Sequence, residues 1–204
     1  MNNIRANIIH LNKNIFIPNS VQYLEAVSRI DSLKKELLCQ NITNYKIFDA
    51  IFNETAPYTG ICKSHKSVVF EAKKNSESFC LVMEDDIHFT SPEAWDYFIS
   101  NIPESFDIYL GSNYHPAVYE DGIVTGQFDS LILYVIHSRF YDEFLALPEN
   151  QHLDRTLSQL SGTKEIRLCY PMPAVEHSGF SYNAKGERDY SHRLEGKALF
   201  GINT

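Results

Sequence analysis

The sequence predicts a single α/β domain over residues 1–204, with a mostly parallel central sheet flanked by helices. Short apolar runs alternate with longer segments whose apolar residues recur every three or four positions, as in strands alternating with helices. The chain has 204 residues, of which 44% are hydrophobic and 22% charged, enough for one core and against disorder. No repeat, low-complexity segment or long linker divides it.

The first elements are a strand, a helix and a second strand. Residues 7–11, NIIHL, form an apolar strand. Asn19 is the candidate cap of the helix that follows, with Gln22 as its capping-box partner. Residues 45–51 alternate as in a second strand. The apolar face of the helix consists of Val21, Leu24, Val27, Ile30, Leu33 and Leu37.

A second helix is predicted over residues 59–74, with Thr59 as its candidate cap. Residues 78–83, SFCLVM, are nearly all apolar, which suits a strand that is covered on both faces. Residues 90–93, TSPE, indicate the start of a third helix. The apolar stripe of the second helix consists of Ile61, His65, Val68, Val69 and Ala72.

The second half of the chain continues this alternation. Residues 106–111 and 130–136 are two further predicted strands. A helix starts at Ser138, and another covers residues 154–160, with Gly162 as its stop. The last predicted strand is 166–171, IRLCYP.

Charge and composition exclude some classes of protein. The formal net charge of -8 disfavours nucleic-acid binding, because nucleic-acid phosphates are bound by Lys and Arg. No apolar stretch is long enough to span a bilayer, and the start is too short in its apolar part for a signal peptide. A cytoplasmic protein is expected, and peripheral membrane association is compatible with the sequence. The scattered cysteines are expected to be reduced and mostly buried; they are Cys39, Cys62, Cys80 and Cys169.

Three consecutive acids, Glu84, Asp85 and Asp86, follow the third predicted strand. Adjacent carboxylates repel one another unless a cation lies between them. In open α/β sheets ligands bind beyond the carboxyl ends of the strands, and hard carboxylate oxygens there suit Mg²⁺ or Mn²⁺. The alternative is a solvated turn without a bound ion.

Several segments resemble glycosyltransferase family 25, which includes bacterial lipooligosaccharide glycosyltransferases and procollagen galactosyltransferases. They are GICKSHKSVVFEA, FCLVMEDDIHF, FDIYLG, HLDRTL and the closing YPMPAVEHSGFSYNAKGERDYS, in the family's order over residues 4–192. Gly60, Cys62, Ser64 and His65 match most of the family's helix-start pattern. One departure is the stretch 10–13, HLNK, where the family has Asn-Leu-Asp followed by arginines.

The resemblance implies a GT-A fold and a metal-assisted, inverting transfer of a sugar from a nucleotide-sugar donor. UDP-galactose or UDP-glucose is the expected donor, and a glycan or lipid-linked saccharide such as lipooligosaccharide is the expected acceptor. Asp86 is the first candidate ligand of Mn²⁺ or Mg²⁺. Asp85 is the second, either directly or through water or the donor ribose. His177 completes the metal shell in this interpretation, and the alternative is a surface-loop histidine.

The remaining candidates concern proton transfer and donor binding. Asp154 is the candidate base for the acceptor hydroxyl, and the alternative is a helix N-cap. Glu176 is the rival base. Four residues are candidates for the donor site: Ser64 and His65 brace the pocket, Asn12 lies in the altered loop, and Arg188 approaches the diphosphate.

Two other classes of function stay open at this point. One is a catalytically silent nucleotide-sugar or glycan-binding module of the same fold. The other is a metal-dependent phosphohydrolase of another α/β fold, which usually needs a second acidic cluster for a second metal. The sequence shows no such second cluster.

Overall fold

A computed structural model describes residues 4–115, 118–120, 122–182 and 186–202. The α-helices within these ranges are Val21–Cys39 (α1), Pro57–Lys74 (α2), Ala94–Ser100 (α3), Tyr141–Ala146 (α4) and Leu153–Ser158 (α5). Single 3₁₀ turns are found at Lys13–Ile15, Ser138–Phe140 and Ser191–Arg193.

The strands are short, and most of those that the sequence does not predict have three residues. They are Ala6–His10 (β1), Tyr45–Asp49 (β2), Phe79–Glu84 (β3), Ile87–Phe89 (β4), Ile108–Leu110 (β5), Val118–Glu120 (β6), Ile123–Thr125 (β7), Leu133–His137 (β8), Ile166–Leu168 (β9), Ala174–Glu176 (β10), Gly179–Ser181 (β11) and Gly186–Arg188 (β12).

Eight strands form one sheet in the order β2-β1-β3-β8-β5-β9-β7-β6. Strand β1 pairs in parallel with β2 and with β3, and β5 pairs in parallel with β9. Strand β8 is antiparallel to both neighbours, and β7 is antiparallel to β9 and β6. Six of the eight strands therefore point the same way, which confirms the predicted α/β fold. Two small antiparallel pairs, β4–β10 and β11–β12, lie outside this sheet.

Strand β3 lies between two hydrophobic layers of the core. Its residues Cys80 and Val82 pack on the side of α2 and α4, whereas Leu81 and Met83 pack on the side of α1 and α3. Successive side chains of a strand point to opposite faces. Because both faces are covered, all of these positions are apolar, as the continuous run predicts.

The buried face of helix α1 differs from the predicted one. Val21 and Leu24 are 66% and 56% exposed, and the buried apolar residues are Ala26, Leu33 and Leu37. Arg29 lies three positions after Ala26 and four before Leu33, which places it on the same stripe. The helix thus turns an arginine towards the protein interior.

The cap of helix α1 is Ser20, whose hydroxyl accepts a hydrogen bond from the Tyr23 backbone N–H at 3.2 Å. The predicted cap, Asn19, instead has a φ of 65°. This is the left-handed region, which asparagine tolerates better than most residues. The predicted capping box of Asn19 and Gln22 is therefore wrong.

Two other helix starts also differ from the predicted caps. Helix α2 begins at Pro57, before Thr59, because the fixed φ of proline suits the first helical position. Helix α5 begins at Leu153, and its N-cap is His152. The interpretation of Asp154 as an N-cap is wrong, because this residue lies inside the first turn.

All four cysteines are free, and all except Cys39 are buried. Burial raises the pKa of Cys80 and of Cys169 to about 12, so these thiols stay protonated. Within the part of the chain that the structure describes, no helix has the length and apolar character that crossing a membrane requires.

Candidate functional site

A cavity of about 410 Å³ opens where the parallel strands β1, β2 and β3 end. The segments that follow these strands contribute Leu11, the stretch 50–53 and the acidic triplet to its wall. This is the edge at which ligands bind in open α/β sheets. The cavity brings together seven residues from four separate parts of the sequence: Ser64, His65, Glu84, Asp85, Asp86, Asp154 and Glu176.

Arg29 is the cation that lies between the adjacent aspartates. Its Nη1 lies 2.9 Å from Oδ1 of Asp85 and 2.9 Å from Oδ2 of Asp86. Its Nη2 donates to the Phe180 carbonyl at 2.6 Å, and its guanidinium lies 5.4 Å from the centre of the Tyr182 ring. The arginine side chain is only 16% exposed. Its charge therefore compensates the buried pair directly.

Both oxygens of Asp85 have partners. Oδ1 faces Arg29, while Oδ2 lies 2.7 Å from Nδ1 of His10 and accepts the Leu11 backbone N–H at 3.3 Å. Burial acts to raise the pKa of Asp85, but the His10 hydrogen bond and the Arg29 charge outweigh it and hold this pKa below its ordinary value. Asp85 thus joins the end of β1 to helix α1 and leaves neither oxygen without a partner.

Asp86 differs from Asp85 in the hydrogen bonding of one carboxylate oxygen. Its Oδ2 is bound by Arg29, but its Oδ1 is buried and has no hydrogen-bond partner among the described residues. Burial, opposed by Arg29 and reinforced by the charges of Glu84 and Asp85, raises the pKa of Asp86 to about 7. A buried, unpartnered carboxylate oxygen fits a divalent cation, whereas the fully bonded Asp85 does not.

The imidazole of His177 makes its contacts with Ser178 and His88. His177 is exposed, its Nδ1 lies 2.8 Å from the Ser178 carbonyl, and its ring lies 5.9 Å from that of His88. Its backbone N–H, not its side chain, bonds the Asp86 carbonyl at 2.7 Å. No group of three His, Cys, Asp or Glu among the described residues is arranged to hold a metal ion. The predicted ligand set of Asp85, Asp86 and His177 is therefore not assembled.

The two candidate bases line the same cavity in different surroundings. Glu176 ends strand β10, and burial, with the charges of Asp86 and Glu84, raises its pKa to about 9. The Tyr190 hydroxyl is bonded to its side chain. Asp154 is half-buried in the first turn of α5, and its Oδ1 accepts the Arg155 backbone N–H at 2.7 Å. No described residue bonds its other oxygen.

Ser64 and His65 hold the cavity wall from helix α2. The Ser64 hydroxyl accepts the Ile51 N–H at 2.7 Å and donates to the Gly60 carbonyl at 2.8 Å. A Cβ on Gly60 would lie 2.3 Å from the Ile51 carbonyl oxygen, so only glycine allows this approach of helix to loop. His65 is buried between Glu84 and Tyr134.

Two predicted donor-site residues lie outside the cavity. The Asn12 side chain caps the turn at Lys13–Ile15 and donates to Oδ1 of Asp49 at 3.0 Å. Arg188 is exposed on strand β12, where it pairs with Gly179. The structure therefore does not bring these two side chains to the acidic cluster.

Sequence reasoning missed Arg29 and the aromatic residues that the tail brings to the cavity, Tyr182 and Tyr190. The spacing of Arg29 from Ala26 and Leu33 is a signal that could have found it, since those small and apolar residues mark the buried stripe. No local pattern indicates the two tyrosines, because they reach the cavity only through the tertiary fold.

No family model matches this sequence, and no curated protein matches it. Solved structures do match the fold. A197 from STIV aligns with a TM-score of 0.50 and 13% identity over 98% of both chains. The inositol-1-phosphate CTP transferase from T. maritima aligns with a TM-score of 0.51 and 10% identity over 94% of this chain and 91% of that one. These likenesses show the fold, a nucleotidyltransferase- or GT-A-like α/β domain. Membership of glycosyltransferase family 25 stays a prediction.

Proposed function

We propose that the protein is an inverting glycosyltransferase that moves a hexose, galactose or glucose, from a UDP-sugar to a glycan or lipid-linked saccharide. The observation that carries the proposal is the buried, unpartnered Oδ1 of Asp86 inside an acidic cavity at the carboxyl ends of three parallel strands. The motif resemblance and the fold shared with a CTP transferase support a nucleotide-linked substrate. The cytoplasmic location and any membrane association stay predictions.

Asp86 is the residue that would hold Mn²⁺ or Mg²⁺. Magnesium in nucleotide sites is commonly bound by one or two carboxylates, with water and substrate phosphates as its other ligands. A single free carboxylate oxygen therefore suffices for such a site. When bound, the cation supplies charge that neutralises the departing diphosphate. Arg29 and His10 fix the neighbouring Asp85, so the Asp86 carboxylate is held in one orientation.

The transfer itself requires a base on the acceptor side. The acceptor hydroxyl oxygen attacks the anomeric carbon from the face opposite the diphosphate, the bond from that carbon to the diphosphate oxygen breaks, and UDP leaves with its electron pair. Asp154 takes the hydroxyl proton, because its second oxygen has no bond from a described residue. Glu176, which also lines the cavity, is the rival base.

Aromatic rings in and beside the cavity wall suit a nucleoside and a sugar. The rings of Tyr114 and Tyr190 stack with centroids 5.7 Å apart, and those of Phe16 and Tyr182 stack at 5.6 Å. Three of these residues, Tyr114, Tyr182 and Tyr190, line the cavity. Aromatic faces bind nucleobases by stacking.

A thermal-shift panel of UDP-, GDP- and CMP-sugars, each with and without Mn²⁺, tests the proposal. A ligand that binds only the folded state raises the melting temperature. We expect stabilisation by UDP-hexoses that depends on Mn²⁺, and transfer of the hexose to saccharide acceptors in a product assay. Stabilisation by GDP- or CMP-sugars alone would refute the donor assignment. Binding without transfer or hydrolysis would favour the silent binding module.

A further inference from the structure

Three buried or half-buried residues form a hydrogen-bonded chain that ends at the cavity. The Tyr134 hydroxyl lies 3.0 Å from Nδ1 of His65, and Nε2 of His65 lies 3.2 Å from Oε1 of Glu84. Each residue is carried by a rigid element: Tyr134 by β8, His65 by α2 and Glu84 by the end of β3. His65 and Glu84 both line the cavity, and Glu84, at 29% exposed, is the more accessible of the two.

The direction of the chain follows from its last member. A carboxylate only accepts, so the hydrogen between His65 and Glu84 lies on Nε2, and the hydroxyl of the completely buried Tyr134 donates to Nδ1 of His65. Nδ1 is then an acceptor, and Nε2 carries the hydrogen that faces Glu84. A neutral His65 satisfies both contacts at once. The imidazole therefore holds one carboxylate oxygen of Glu84 in a fixed position.

The second oxygen of Glu84 remains for a ligand. No described residue bonds Oε2, and within the described part of the chain the partner of this side chain is His65. The charge of Glu84 raises the pKa of both Asp86 and Glu176, so Glu84 lies close to these two carboxyl groups. A carboxylate there repels phosphate, accepts hydrogen bonds and suits hydroxyl groups.

We propose that Glu84 binds a hydroxyl of the transferred hexose, and that His65 and Tyr134 are positioning residues for it. The proposal rests on the proposed function, because it assigns the sugar part of the UDP-sugar. It separates the roles of the three acids. Glu84 binds the sugar, Asp85 fixes the loop, and Asp86 faces the diphosphate.

Calorimetric titration of Glu84→Gln with UDP-hexose and with UDP, both with Mn²⁺, tests the assignment. A hydrogen bond to a charged group contributes about 1.5–3 kcal/mol, which corresponds to a loss of affinity of about 10- to 150-fold. We expect this loss for the UDP-hexose and less than about threefold for UDP, which has the uracil, ribose and diphosphate but no hexose. Equal weakening of both ligands, or of neither, would overturn the assignment.

Tyr134→Phe tests the positioning role, because it removes only the hydroxyl that fixes the His65 tautomer. We expect the same selective loss for the UDP-hexose, about three- to tenfold. Tyr141→Phe is the matched control, since Tyr141 is also buried but its hydroxyl has no hydrogen-bond partner in the described part of the chain. Its UDP-hexose affinity should be unchanged. Equal affinities of the two variants for the UDP-hexose would refute the positioning role of Tyr134.

Nitrogen-15 NMR of the His65 ring provides a test that needs no ligand and no variant. We expect a neutral ring with its hydrogen on Nε2 in the free protein. A ring with its hydrogen on Nδ1 would overturn the proposed hydrogen-bonded chain, even if the variants fail to fold. If the wild type binds UDP-hexose but Glu84→Gln binds it equally well, this inference fails alone. If the wild type binds no nucleotide sugar, the proposed function fails with it.

Discussion

Nη1 of Arg29 lies 2.9 Å from Oδ2 of Asp86, while the other oxygen of the same carboxylate is buried and has no partner among the described residues. One side of Asp86 is thus neutralised by the protein, and the other side is left for a ligand. This relationship explains how consecutive acids persist at the end of a buried strand. Arg29 stabilises the pair in the folded protein, and the free oxygen is the atom that we propose binds a cation.

Arg29→Met should strongly destabilise the protein. Removal of one partner from a buried ion pair leaves an uncompensated charge, at a cost of about 3–5 kcal/mol. Urea denaturation measures the change in the free energy of unfolding. Lys34→Met is the matched control on the same helix. Among the described residues Lys34 pairs only with Asp31, both side chains are exposed, and the variant should lose less than about 1 kcal/mol. Similar losses in both variants would show that Arg29 is not a structural cation.

Glu176→Gln should stabilise the metal-free protein increasingly as the pH rises. The unfolded chain releases the Glu176 proton near the ordinary pKa of about 4.3, whereas the folded protein keeps it until about pH 9. Between these values the folded state holds a proton that the unfolded state lacks, so wild-type stability falls with pH. Glutamine does not titrate, so the stability of the variant does not fall with pH for this reason. We expect a gain of about 1–4 kcal/mol at pH 8 relative to pH 5.

Urea denaturation at both pH values, with a chelator present, measures this gain. Glu104→Gln is the control, since Glu104 is exposed and its replacement should have little effect at either pH. A gain for Glu176→Gln that is equal at pH 5 and pH 8 would contradict the burial of this carboxyl group among negative charges.

Asp154→Asn should lower the rate of hexose transfer by about 10²- to 10⁴-fold, because the base that accepts the hydroxyl proton is lost. Donor affinity and melting temperature should remain close to wild type, since Asp154 is half-buried and its side chain, among the described residues, bonds only the next backbone N–H. Single-turnover kinetics and calorimetry measure the two effects separately. If Asp154→Asn keeps full activity while Glu176→Gln loses it, Glu176 is the base.

The sequence predicts the central layer of the fold well, because its elements have a clear hydrophobic period. Strand β3 is continuous and apolar as expected for a strand covered on both faces, and helix α2 begins close to its predicted start. The three-residue strands such as β4 and β10 are too short to show any period. Their pairing depends on contacts between segments far apart in the chain.

The site is only partly predictable for the same reason. The acidic triplet and the rule for strand ends place Glu84 and Asp86 at the cavity, since both depend on local order along the chain. His177 follows β10, but its ring is held by the backbone carbonyl of the next residue, Ser178, a contact that the sequence pattern does not reveal. Arg29 lies on a helix whose buried face differs from the stripe of large apolar residues, so a pattern built on large apolar residues alone does not reveal the cation between the acids.

The central claim, that Asp86 holds a cation for a UDP-hexose, is tested most directly by calorimetric titration of UDP-hexose into wild type and Asp86→Asn, with and without Mn²⁺. Asparagine keeps the shape of the side chain but loses its charge. We expect Mn²⁺ to tighten donor binding to the wild type by at least about tenfold, or 1.4 kcal/mol, and to have little effect on a folded Asp86→Asn. Equal Mn²⁺-dependent tightening in both proteins, or none in the wild type, would contradict the account.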